Sequence, residues 1–133
     1  MPERDGPRIG VWRRWRSRRF AVVDDSMRPT LLPGDRVLVD PRAFRHRPPR
    51  VGEVVVLRDP QDPHRRLVKR VATWDEGTGT LSVRGDDPAR SRDSRSFGAV
   101  SYRSVVGLVW FRYLPRERRG PLPAPGLPAA PPP

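Results

Sequence analysis

Six short runs of β-branched and aliphatic residues limit what this chain can become. They are Phe20-Ala21-Val22-Val23, Val37-Leu38-Val39, Val54-Val55-Val56-Leu57, Leu67 to Trp74, Leu81-Ser82-Val83 and Val105 to Tyr113. Brief valine-rich stretches of this kind suit a pleated, half-buried surface. Turn-forming clusters fall between them: Pro33-Gly34-Asp35, Asp75-Glu76-Gly77-Thr78-Gly79 and Gly85-Asp86-Asp87-Pro88. No segment sustains a helical period, so the expected fold is mostly β, one compact domain over residues 18–114. The exception is Ser26-Met27-Arg28-Pro29-Thr30-Leu31, where a serine precedes a short run with proline in its first turn. One or two helical turns starting at Ser26 are expected there.

The ends differ from this centre. Residues 1–17 are basic and interrupted by Gly6, Pro7 and Gly10, which predicts a flexible N-terminal arm. Residues 115–133 form a proline-rich tail, expected to be disordered because proline removes backbone donors and the apolar side chains are few and isolated. With 133 residues in all, the chain has room for one domain and hence one site.

Composition excludes several chemistries. With no cysteine there is no disulfide, no thiolate nucleophile and no cysteine metal site. The two histidines, His46 and His64, lie in arginine- and proline-rich stretches, without a glycine-flanked serine elbow or metal-ligand spacing. Neither a metal nor any other cofactor is expected. No window approaches the roughly 18 apolar residues of a membrane-spanning helix, and the N-terminus lacks the apolar stretch of a secretory signal. These features predict a soluble, monomeric, cytoplasmic chain beginning near Met1. The net charge of +12 suits nucleic acid, an anionic membrane surface or an acidic partner. Its densest run, Arg13-Arg14-Trp15-Arg16-Ser17-Arg18-Arg19, reads as a solvated arm, and no nucleic-acid-binding signature accompanies it.

Of 27 basic residues, 26 are arginine; Lys69 is the only lysine. Arginine stays protonated in proteins, whereas a desolvated lysine gives up its proton and can serve as a general base. On a strand, Lys69 shares a face with Leu67 and Val71, while Arg66, Val68 and Arg70 point the other way. An amine on that apolar face could take the proton of a serine hydroxyl, which is a poor nucleophile alone. Ser26 is the candidate, at a strand-to-turn junction with its own amide aimed at a developing oxyanion. By local sequence alone it also reads as an ordinary helix cap.

Four ordered boxes resemble those of type I signal peptidases. They are Asp25-Ser26-Met27-Arg28-Pro29-Thr30, Gly34-Asp35-Arg36-Val37-Leu38-Val39, Val68-Lys69-Arg70-Val71, and Gly85-Asp86-Asp87 followed by Ser91-Arg92-Asp93-Ser94-Arg95-Ser96-Phe97-Gly98. Val106-Gly107 resembles the family's last strand. The resemblance implies a signal-peptidase-like fold and a serine-lysine endopeptidase. Ser26 would be its nucleophile and Lys69 its base, with Ser94 hydrogen-bonding the lysine amine. It further implies that Asp93 and Arg95 brace that strand as a charge pair, that Met27 lines the substrate groove and that Asp35 is structural. The position two before the nucleophile, often a small hydroxyl residue in the family, is Asp24, and it is expected to point away from the oxyanion. Asp87 stands where asparagine is preferred.

With no anchor in view, the chain is most similar to the nickel-type superoxide dismutase maturation proteases, which implies a precursor with an N-terminal leader as substrate. Three alternatives stay open. One is a general leader peptidase touching the membrane peripherally through Trp12, Trp15 and Phe20. The second is an SOS-repressor-like autoprotease, and the third a non-enzymatic basic module binding nucleic acid.

Overall fold

A computed structural model describes residues 13–122 of the chain. The Trp12 position, the first twelve residues of the expected arm and residues 123–133 of the tail lie outside the described residues. The runs of valine form strands, and every pairing between them is antiparallel. In chain order they are β1 (Arg18–Ala21), β2 (Arg36–Asp40), β3 (Val54–Asp59), β4 (Asp62–Asp75), β5 (Thr80–Arg84), β6 (Val100–Ser101), β7 (Val105–Leu114) and β8 (Gly120–Pro121). The spatial order is β1-β2-β7-β3-β4-β5-β6, with β8 added to β7. The fold is therefore mostly β, one antiparallel sheet with short helical turns, as the sequence predicts.

Strand β3 shows how one sheet serves two cores. Side chains alternate across a strand, and here both sides are covered: Val54 and Val56 enter one cluster, Val55 and Leu57 the other. The first cluster also holds Val22, Met27, Leu31, Val37, Val39, Val68 and Val109. The second holds Leu67, Val71, Leu81, Val83 and Val100. Lys69, between Leu67 and Val71 on β4, takes the second side. Gly107 lets β7 cross tightly over β2, because a Cβ there would lie 2.6 Å from the Asp40 carbonyl oxygen.

Arginine has a structural task in this fold. Asp35, Asp40, Glu53, Asp59 and Asp93 are buried, and a buried carboxylate needs a charged, hydrogen-bonding partner. Arg118 holds Asp35, Arg13 and Arg16 hold Asp40, Arg47 holds Glu53, Arg92 holds Asp59 and Arg95 holds Asp93. These ion pairs also reach beyond residues 18–114. Residues 13–16 form a helical turn tied to Asp40, and the Ser17 hydroxyl accepts from the Trp110 indole at 2.8 Å, so this part of the arginine run is anchored. At the other end Arg118, β8 and Leu122 pack onto the domain beyond residue 114.

Candidate active site

The chain leaves β1 at Ala21, buries Val22 and turns through residues 24–31. The Arg28 amide donates to the Asp25 carbonyl at 3.1 Å and the Leu31 amide to the Met27 carbonyl at 2.9 Å. The expected helix at Ser26 is thus a run of turns with one α-type hydrogen bond. Met27 and Leu31 anchor it by inserting into the first core. Met27, only 1% exposed, packs among Val22, Val37 and Val68 and does not line a groove. The reason is directional: the turn aims residue 27 inward, toward apolar neighbours that a thioether fills well.

Ser26 is itself 2% exposed. Its carbonyl accepts the Asp87 amide at 2.9 Å, which ties the Ser26 turn to the Gly-Asp-Asp box. Its hydroxyl donates to Asp24 Oδ1 at 3.0 Å, and its amide donates to the same oxygen at 3.2 Å. The expectation that Asp24 points away is therefore corrected. An aspartate readily accepts from the backbone two residues on, and that local bond turns its carboxylate back over Ser26.

Lys69 is 2% exposed. Burial pushes its pKa down from the usual lysine range; the charges of Asp24 and Asp93 oppose this, and those of Arg92 and Arg65 add to it. Its amine donates to the Ser91 hydroxyl at 3.0 Å, and Ser91 donates to Asp93 Oδ2 at 3.0 Å. Asp93 also receives the Gly85 amide at 3.0 Å and the backbone and guanidinium of Arg95. Burial alone would raise the Asp93 pKa, but these donors outweigh it and hold the carboxyl well below the usual carboxylate range.

Ser94 does not contact the lysine. It opens the short helix Ser94–Phe97, and its hydroxyl accepts the Val83 amide at 2.8 Å. Ser91, three residues earlier, accepts from the lysine amine instead. Asp93 and Arg95 do pair, but Asp93 is the N-cap of that helix, so the pair braces a helix start and not a strand. Asp35 accepts the Leu32 amide at 2.9 Å and pairs with Arg118, away from the serine and the lysine.

Gly85 joins the two halves. A Cβ at this position would lie 2.2 Å from the Ser91 hydroxyl and 2.6 Å from the Ser26 carbonyl. Its lack of a side chain lets Ser91, the lysine's partner, and the Ser26 carbonyl both approach it closely. Sequence reasoning placed Gly85 in a box without this task and missed Ser91. The close approach is long-range, and only the glycine itself signals it. Among the described residues no cluster of three or more histidines or acids could hold a metal, and no helix is long and apolar enough to cross a membrane.

Residues 10–75, which include both Ser26 and Lys69, match the family model described as signal peptidase, peptidase S26. The chain is 35% identical over 118 residues to the mitochondrial ATP-independent inner membrane protease subunit 1b of Arabidopsis thaliana, covering 73% of this chain and 70% of that one. It is 25% identical over 143 residues to the probable signal peptidase I-1 of Synechocystis sp., covering 76% and 73%. To the mitochondrial inner membrane protease subunit 1 of Xenopus tropicalis it is 28% identical over 115 residues, covering 73% and 69%. On these matches the chain belongs to the signal peptidase, peptidase S26, family and is a serine protease of the signal peptidase I type.

Proposed function

We propose that this protease cuts by a Ser26–Lys69 dyad and removes an N-terminal leader from a precursor, that of a nickel-type superoxide dismutase. The observation that carries the dyad is the setting of Lys69: a buried amine whose pKa is lowered, with Ser91 accepting one of its hydrogens. In the neutral amine that bond directs a hydrogen at Ser91 and leaves the lone pair for another donor. Ser26 Oγ then attacks the scissile carbonyl carbon as its proton passes to Lys69 Nζ. The tetrahedral intermediate expels the amine, which leaves with that proton, and Ser26 carries the acyl group. Water attacks the ester, gives a proton to Lys69, and Ser26 Oγ departs with it.

The precursor assignment rests on the resemblance of the compact, arginine-rich core and its last strand, Val105 to Tyr113, to the dismutase maturation proteases, and it is tested with Lys69→Arg and Ser26→Ala beside the wild type. Arginine keeps the charge and cannot act as the base. Cleavage of the dismutase precursor by wild type alone, with the new N-terminus read by mass spectrometry, supports dyad and substrate together. Equal cleavage by Lys69→Arg overturns the dyad.

A second reading, a leader peptidase working against an anionic membrane surface, is favoured by two observations. Relatives carry inner-membrane-protease names. In addition, Trp15 is 80% exposed, and its chain neighbour Arg14 lines, with Arg19, Arg116, Arg119, Trp110 and Tyr113, a cavity of about 560 Å3. Cosedimentation with vesicles containing anionic lipid, lost in Trp15→Ala, supports it, and equal sedimentation with neutral vesicles overturns it.

A further inference from the structure

The mechanism needs two things of Ser26: a hydroxyl whose proton is aimed at the amine, and an amide free to meet the oxyanion. In this structure both are held by one oxygen. Asp24 Oδ1 lies 3.0 Å from the hydroxyl oxygen and 3.2 Å from the amide nitrogen. An oxyanion forms about 2.7–3.1 Å from its donors. The carboxylate oxygen therefore sits close to where the intermediate's oxygen must develop, and it carries the same sign of charge.

Local geometry alone accounts for the amide bond. Asp40, Asp59, Asp62, Asp75, Asp87 and Asp93 each accept the amide two residues on, as ordinary aspartate turns. Ser26 is different. There the same oxygen also takes a hydroxyl, and that hydroxyl belongs to the family's serine box. Asp24 acts on the other partner too. Its charge opposes the effect of burial on Lys69, which is faced as well by Asp93, Arg92 and Arg65. Meanwhile the Lys69 amine is turned to Ser91 and not to Ser26.

We propose that Asp24 is a positioning residue that holds the nucleophile at rest: its carboxylate fills the oxyanion position until an arriving substrate carbonyl displaces it from the Ser26 amide. This rests on the reading of Ser26 as nucleophile. Substrate binding then does two jobs in one movement. It frees the amide to stabilise the intermediate, and it releases the hydroxyl to turn toward Lys69.

The test compares wild type, Asp24→Ala and Asp24→Asn on a leader-containing precursor. Loss of one oxyanion donor costs about 10²–10³ in kcat, so unmasking a masked one is expected to raise kcat roughly tenfold in Asp24→Ala with little change in KM. The acidic limb of the pH profile moves to lower pH, because removing a nearby negative charge lowers the Lys69 pKa further. Asp24→Asn keeps the turn without the charge and should fall between the two. A lower kcat in Asp24→Ala, with the acidic limb unmoved and the melting temperature unchanged, overturns the proposal.

A second readout needs no turnover. The Ser26 amide proton, held by the carboxylate, should exchange with solvent more slowly in wild type than in Asp24→Ala; equal exchange in the two also overturns the proposal. Cleavage by Ser26→Ala at the wild-type rate, with the protection of the residue 26 amide intact, would instead count against Ser26 as nucleophile.

Discussion

The Lys69 amine and the Ser91 hydroxyl are 3.0 Å apart, and Ser91 passes the contact on to Asp93. Ser91 is thus held from behind by a carboxylate while it accepts from the amine in front. The geometry makes Ser91, not Ser94, the residue that sets where the lysine lone pair points.

Substituting each serine separates these roles. Ser91→Ala should lower kcat by about tenfold to a hundredfold, up to the low end of the roughly 10²–10⁴ that positioned acid–base chemistry contributes, because the base is misaimed and not removed, with a modest effect on stability. Ser94→Ala should leave kcat near wild type and cost about 1–2 kcal/mol in unfolding free energy, since the Val83 amide loses its acceptor. Steady-state kinetics and urea titration of both variants check the pair. The opposite pattern would return the lysine contact to Ser94.

Gly85→Ala should damage site and fold together. Its methyl would overlap the Ser91 hydroxyl and press on the Ser26 carbonyl, which is backbone and cannot swing aside. Overpacking of this kind costs about 1–3 kcal/mol. The expected outcome is a lower melting temperature with kcat reduced more than stability alone explains, read by calorimetry and by kinetics well below the transition. Activity at the wild-type level would show that Ser91 and the nucleophile turn can part without consequence.

The buried amine sets a pH dependence whose sign is fixed. A base must be neutral to act, so cleavage should rise with pH through the lowered Lys69 pKa, with a midpoint below 10.5. Stability follows the same proton. Below the folded value the charged amine carries its full burial penalty. Between that value and 10.5 the unfolded chain holds a proton that the folded chain does not, so stability from this group increases with pH across the interval. A pH–rate profile and denaturant midpoints over that range, in wild type and Lys69→Met, check both. The variant should be inactive and lack this pH dependence of stability.

Trimming the chain to residues 18–114 should destabilise it strongly. Asp40 would lose Arg13 and Arg16, and Asp35 would lose Arg118. Breaking a buried pair by removing one partner costs about 3–5 kcal/mol. Thermal melts of chains 13–122 and 18–114 compare the two. Asp40→Asn in the shorter chain should recover part of the loss.

Strands were the legible part of this fold, because β-branched runs separated by glycine and aspartate turns mark themselves. Lys69 was legible for a chemical reason, as the one amine in a chain that otherwise uses arginine. The two-residue strands β6 and β8 were not, since each exists only where a neighbour offers an edge. Ser91 and Ser94 could not be told apart along the chain. Both flank Asp93, and the choice is made by where Gly85 allows an approach and by which hydroxyl opens a helix. The burial of Met27 is not legible along the chain, because adjacency to Ser26 says nothing about which way a turn aims the next side chain. The orientation of Asp24 follows from how readily an aspartate bonds two residues ahead, which its charge alone does not indicate.

Among the described residues, guanidinium groups hold all five buried carboxylates, and they do not surrender protons in the alkaline range. The ionic scaffold is therefore indifferent to hydroxide over the interval in which the Lys69 amine loses its charge. A frame built from lysines would loosen as its own base switched on; here the two titrations are uncoupled by the choice of cation.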